Sequence, residues 1–152
     1  FCSSGWRCWQ APGRAREQAE HKYWINNVRA NIFWQNQFLD QKNEFVQDRF
    51  PYPFVEMNPD DMVEEGVNPG DLIEIINTNG VTQGMVYPTA TAKRGHVAMV
   101  FGSPAGSQGN VTNGVNELNI PDYKHCWADI RKVSNATHET AGITFKSKEI
   151  ML

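Results

Sequence analysis

The hydrophobic and polar positions of the chain are best organised between Asn58 and Gly102. Leu72, Ile73, Ile75 and Ile76 form a β-branched apolar run, Thr78-Asn79-Gly80 is a strong hairpin signal, and Val81 to Tyr87 reads as the returning strand, ended by Pro88. Lys93-Arg94-Gly95 turns the chain into a further strand, His96 to Phe101, and a glycine-rich loop opens at Gly102. Ahead of these strands Asn58 suits a helix N-cap, Pro59 the first helical position, and Asp60 and Asp61 the positive end of the helix dipole. Gly66 reads as the helix stop, and Val67-Asn68-Pro69-Gly70 places Pro and Gly at the central positions of a type II turn. Trp127, Ile130 and Val133 suit a last strand or strand-turn that closes the sheet. Several short strands, one short helix within the strand order and long polar loops predict a mainly β domain, a small closed barrel in preference to a sandwich.

Upstream the pattern loosens. Residues 1 to about 20 mix Ser, Gly, Pro, Trp and Arg before the helix-friendly run Arg14-Ala15-Arg16-Glu17-Gln18-Ala19-Glu20, a leader without an assignable role. From Tyr23 to Phe38 aromatics interleave with amides, among them Trp24, Asn26, Asn27, Asn31, Phe33, Trp34, Gln35, Asn36, Gln37 and Phe38. Val28, Ile32 and Leu39 keep roughly helical spacing, but asparagines are poor helix formers that bond readily to backbone or ligand. Two readings stand side by side. Amides around Arg29 suit the lining of an anionic, heteroaromatic cofactor, or they satisfy buried backbone in an irregular packing arm. Asp40 to Arg49 is helix-compatible, and the prolines of Phe50-Pro51-Tyr52-Pro53-Phe54 hold that segment extended as a linker.

Length and charge narrow the classes. The 152 residues suffice for one domain, or one domain with an extended arm. With 14 basic and 17 acidic residues the net charge is −3, and the only dense basic cluster is Arg7, Arg14 and Arg16, which excludes a nucleic-acid footprint. No apolar run approaches the ~18 residues that span a bilayer, and the N-terminus lacks the apolar centre of a signal peptide. The initial phenylalanine leads us to expect a processed, truncated or partial chain. Cys2 and Cys8 have neither zinc-knuckle nor redox-pair spacing, and Cys126 beside His125 gains no supporting spacing from His96 or His138, so free thiols, or one adventitious bridge, are expected in place of a metal site. The loop from Gly102 to Thr112 can offer backbone N–H groups to an anion, yet it is neither a P-loop nor a Gly-x-Gly-x-x-Gly turn. Asn110-Val-Thr and Asn135-Ala-Thr read as chance matches to the glycosylation pattern.

Taken together, Asn58-Pro59-Asp60-Asp61-Met62, Gly66, Pro69-Gly70-Asp71, Gly80, Pro88, Lys93-Arg94-Gly95 and Phe101-Gly102 resemble the C-terminal molybdopterin-dinucleotide-binding domain of the dimethyl sulfoxide reductase superfamily. More specific runs resemble the arsenite oxidase large subunits: Trp24-Ile25-Asn26-Asn27, Tyr52-Pro53-Phe54 through Asp61, Met85-Val86-Tyr87-Pro88, and Tyr123-Lys124 through Arg131. The resemblance covers about Tyr23 to Val133. It implies a double-psi β-barrel of the aspartate-decarboxylase-like kind, with a short inserted helix and an irregular or helical N-terminal arm. The expected layout is a leader over 1–22, a cofactor-contacting arm and linker over 23–54, the barrel over 55–133 and a polar tail over 134–152.

The resemblance further implies a molybdopterin guanine dinucleotide cofactor, present as a molybdenum bis-form in the full enzyme, and oxidation of arsenite to arsenate. An iron–sulfur cluster would lie elsewhere in the large subunit. The partners would be the remaining domains of that subunit and a Rieske-type small subunit, in the periplasm. The cofactor contacts carried over are Asn27, Arg29, Asn31, Trp34, Gln35 and Asn36 from the arm, with Asn110 and Lys124 later in the chain. Arg29 and Lys124 would balance pyrophosphate charge while the amides bond the pterin and guanine edges. Val28 stands where the family usually has glycine, and a β-branched residue there restricts the backbone. No catalytic residue or metal ligand is expected, and the chain alone should not oxidise arsenite. The rival readings are a stand-alone barrel acting as a binding module, and the same domain of another molybdenum oxidoreductase.

Overall fold

Inward-pointing residues recur at every second position along six strands, and this period of two closes them around one core. The structure, a computed structural model, describes residues 18–29, 43–45, 52–100, 108–112, 122, 124 and 126–136. Strands β1 (Tyr23–Val28), β2 (Phe54–Met57), β3 (Leu72–Asn77), β4 (Gly80–Pro88), β5 (His96–Val100) and β6 (Cys126–Ser134) form a closed barrel in the order β1-β5-β2-β4-β3-β6. The pairs β1/β5 and β2/β4 are parallel and the other four antiparallel, the interlocked arrangement of a double-psi barrel. Among the described residues Tyr23, Ile25, Val55, Met57, Ile73, Ile75, Val86, Val97, Met99, Cys126 and Ala128 fill the interior as a packed core.

Helix α1 (Pro59–Glu65) follows its sequence signals closely. The Asn58 side chain accepts a hydrogen bond from the Asp60 N–H at 2.9 Å, and Gly66 ends the helix at φ 64°. Met62 and Val67 turn into the core, which fixes the helix against the barrel. Asp61 does more than complement the dipole. Its buried carboxylate accepts from the Gly95 N–H at 2.8 Å and from Arg94 Nε at 3.0 Å, pinning the β4–β5 connection to α1.

Tyr23–Val28, expected in the arm, is a barrel strand, and β2 begins at Phe54, one residue before the expected start of the barrel. Tyr23–Val28 pairs with β5 and β6, and Phe54–Met57 pairs with β4 and β5. The reason is pairing with distant chain. Tyr23 and Ile25 point inward while Trp24 and Asn26 face outward, so the period over Tyr23–Val28 is two. The stretches 30–42 and 46–51 lie outside the described residues. The hairpin at Thr78-Asn79-Gly80, strand β5 and the closing strand β6 match their expectations, with β6 reaching Ser134.

Candidate functional site

One end of the barrel is covered by a short 3-10 helix, η1 (Gln108–Val111), packed on β4, β3 and β1. Val111 is completely buried and completes the core beneath it. Close approach is possible because β4 begins with glycine: a Cβ on Gly80 would stand 2.5 Å from the backbone oxygen of Asn110. Asn110 itself is exposed, and its amide donates to the Val81 carbonyl at 3.4 Å. The Thr112 hydroxyl donates to the Gly109 carbonyl at 3.0 Å and closes the turn.

Asn27 lies half-buried near the end of β1, opposite Met99 of β5, and Arg29 follows exposed just beyond the strand. Lys124 is exposed two residues before Cys126, the residue of β6 that pairs with Ile25. Because β1 and β6 are antiparallel, the chain entering β6 passes the end from which β1 departs. Asn27, Arg29 and Lys124 therefore share that end, and η1 with Asn110 also touches β1. Asn31, Trp34, Gln35 and Asn36 lie outside the described residues, as does the loop over 101–107.

The other cations mostly hold the body of the barrel together. Lys22 meets Glu64 at 2.7 Å and Glu65 at 2.5 Å, Arg94 bridges Asp61 and Glu64, Arg131 is paired with Glu74, and Lys132 lies 2.7 Å from buried Asp71. Burial pushes the Asp71 carboxyl up, but Lys132 and the N–H groups of Asn68 and Ala136 outweigh it and hold the group below the usual carboxylate range. Asp129 behaves likewise. Burial raises it, while hydrogen bonds from His21 and the Lys22 N–H leave it lowered. On the outer face Trp24 stacks on His96 and meets Trp127 edge-on, 5.4 Å between centroids.

Sequence reasoning passed over Asn77. Its side-chain oxygen accepts from the N–H groups of Asn79 and Gly80, and its amide nitrogen donates to the carbonyls of Val111 at 2.7 Å and Trp127 at 3.0 Å. The first half of this pattern is readable as an Asx-turn before a glycine. The second half depends on chain far away in sequence.

Comparison with known proteins follows from this geometry. The family described as molydopterin dinucleotide binding domain matches residues 23–127. Arsenite oxidase subunit AioA of Herminiimonas arsenicoxydans is 42% identical over 120 residues, covering 78% of this chain and 14% of that protein. The iodate reductase subunit IdrA of Denitromonas iodatirespirans is 27% identical over 107 residues, covering 64% of this chain and 12% of that protein. This chain thus spans about one seventh or less of these relatives. Among solved structures, acetylene hydratase from Pelobacter acetylenicus superposes with a TM-score of 0.68 at 16% identity, covering 82% of this chain and 20% of that one, a likeness of fold.

Proposed function

The chain belongs to the molydopterin dinucleotide binding domain family, and from that premise we propose that it cradles the molybdopterin guanine dinucleotide of an arsenite-oxidase-like molybdenum enzyme, contributing cofactor binding and no catalytic residue of its own. The observation that carries the reading is the convergence of Asn27, Arg29 and Lys124 on one end of the barrel, beside η1 with Asn110. The donor set fits the group. Two cations suit a pyrophosphate, and amides that both donate and accept suit the edges of pterin and guanine. The packed interior leaves no room for a ligand inside the barrel, so binding belongs to its rim.

In this reading Arg29 and Lys124 neutralise phosphate charge, while Asn27 and Asn110 fix orientation through directional hydrogen bonds. When bound, the cofactor supplies the redox chemistry, and the protein supplies orientation and electrostatics. The resemblance adds Asn31, Trp34, Gln35 and Asn36 as further proposed cofactor contacts. The backbone at Val28 suits a β-branched residue: it lies within β1 opposite Val100, in an extended conformation, which supports the reading. The 42% identity to AioA, against 27% to IdrA, favours arsenite as the substrate of the whole enzyme. An iron–sulfur cluster elsewhere in the large subunit, the remaining domains of that subunit, a Rieske-type electron acceptor and a periplasmic setting complete the proposal.

Calorimetric titration of the purified chain with GDP, the nucleotide half of the cofactor, tests this reading. Saturable binding is expected, weakened about tenfold by Arg29→Ala or Lys124→Ala, the loss of one charge-assisted contact. A folded chain that does not bind GDP, or binds it equally well in both variants, overturns the reading in favour of a stand-alone barrel module.

A further inference from the structure

We infer that Asn77 is a positioning residue of the dinucleotide site, locking η1, which carries Asn110, onto the strand that Lys124 precedes; this rests on the cofactor-binding reading above. The hairpin needs only half of the Asn77 side chain. Its Oδ1 accepts from the Asn79 N–H at 2.9 Å and the Gly80 N–H at 3.2 Å, which caps the β3–β4 turn locally. Its Nδ2 does something the turn does not require. One N–H reaches the Val111 carbonyl at 2.7 Å and the other the Trp127 carbonyl at 3.0 Å.

All four hydrogen-bonding positions of the amide are therefore used, and its orientation is set by its neighbours: two backbone donors face the oxygen and two backbone acceptors face the nitrogen. Val111 adjoins Asn110 in η1, and Trp127 follows Cys126, three residues beyond Lys124. One side chain thus ties together the two segments that carry the later pair of cofactor contacts. The Gly80 close approach acts alongside it, since the Asn110 carbonyl rests where a side chain on Gly80 would stand. Contact from beneath and hydrogen bonding from the side together fix the height and lateral position of η1. Such fixing matters for recognition, because a donor held in place before the ligand arrives loses less freedom on binding.

Asn77→Asp separates the two halves of the role. Aspartate keeps the acceptors for Asn79 and Gly80 but has no N–H for Val111 and Trp127. The experiment titrates GDP into the full 152-residue chain and into Asn77→Asp, Asn110→Ala and the double variant, with backbone amide NMR spectra of each. In Asn77→Asp the amide signals of Asn110, Val111, Thr112 and Trp127 should move together, and the Kd for GDP should rise about tenfold. In the Asn110→Ala background the same substitution should change the Kd by a clearly smaller factor, because the part of its effect that runs through η1 and Asn110 is already lost. A merely structural role would weaken binding equally in both backgrounds, which would overturn the inference. So would an unchanged Kd in Asn77→Asp beside a wild type that binds. Absence of GDP binding by the wild type is a different result, which sinks the cofactor reading and this inference with it. Should Asn77→Asp fail to fold, Asn77→Ser replaces it in the same cycle, since its hydroxyl still accepts from the turn but is too short to span to Val111 and Trp127.

Discussion

Replacing Gly80 by alanine tests the placement of η1 through the sign of a stability change. Gly80 opens β4 opposite Asn77, and its backbone lies outside the left-handed region that favours glycine. Without a neighbour above it, Gly80→Ala would stabilise the protein by about 0.4–1 kcal/mol, because alanine restricts the unfolded chain more than glycine does. The structure predicts the reverse. The new Cβ would lie 2.5 Å from the Asn110 oxygen and 3.6 Å from its carbonyl carbon, and these backbone atoms cannot rotate aside. Restoring ordinary contact requires η1 to lift by about 1 Å, and Val111, fully buried directly after Asn110, must move with it. Overpacking of this kind costs about 1–3 kcal/mol. For a chain of this size that lowers Tm by roughly 2–12 °C. Thermal unfolding followed by circular dichroism reads the stability, and GDP calorimetry on the same samples reads the site, where a weaker affinity is expected. An alanine variant with equal or higher Tm would refute the packing of η1 on Gly80 and, with it, the geometry assigned to Asn110.

Thr82 carries a buried hydroxyl without a hydrogen-bond partner among the described residues, so Thr82→Val should stabilise the chain by about 1 kcal/mol in urea unfolding, and a destabilised variant would show that the hydroxyl is satisfied. Asp71 has a folded pKa below its unfolded value, so its contribution is full above about pH 4 and is lost as pH falls through the folded value. Asp71→Asn should therefore cost about 2 kcal/mol at pH 7 and flatten the acid limb of a stability–pH curve, and an unchanged limb would refute the assignment. Val28→Gly should lower stability by about 1 kcal/mol through a weakened strand end and leave GDP affinity unchanged, whereas a large gain in affinity would show that Val28 crowds the ligand.

What the sequence disclosed is what short-range chemistry controls. The Asn58 cap, the Gly66 stop, the Asn79-Gly80 turn and the apolar run of β3 each act within a few residues, and each appears as expected. Strands β1 and β2 were hidden because their definition comes from elsewhere in the chain. Phe54–Met57 is only four residues long beside two prolines, and it becomes a strand because Met85–Pro88 lies along one edge and Val97–Met99 along the other. In β1 the asparagines at 26 and 27 obscure the inward pair Tyr23 and Ile25. The candidate site shows the same division. Asn27, Arg29, Asn110 and Lys124 entered through resemblance, whereas no local pattern could reveal that Asn77 reaches Val111 and Trp127 across long separations in sequence.

This division follows from how a closed barrel meets a large ligand. The inward positions of the six strands are filled by core side chains, so ligand donors come from outside the barrel interior, where strand ends and the segments that join them offer exposed groups. Core packing and the proposed ligand contacts then draw on different residues: Ile73, Ile75, Met57 and Met99 are buried in the barrel, while Arg29, Asn110 and Lys124, the proposed contacts, are exposed. A charge removed at the rim should change affinity with little effect on Tm, because an exposed side chain contributes little to folding. Asn77 and Gly80 are the places where the separation breaks down. Both belong to the β3–β4 hairpin and both set the position of η1, so substitutions there should alter stability and affinity together.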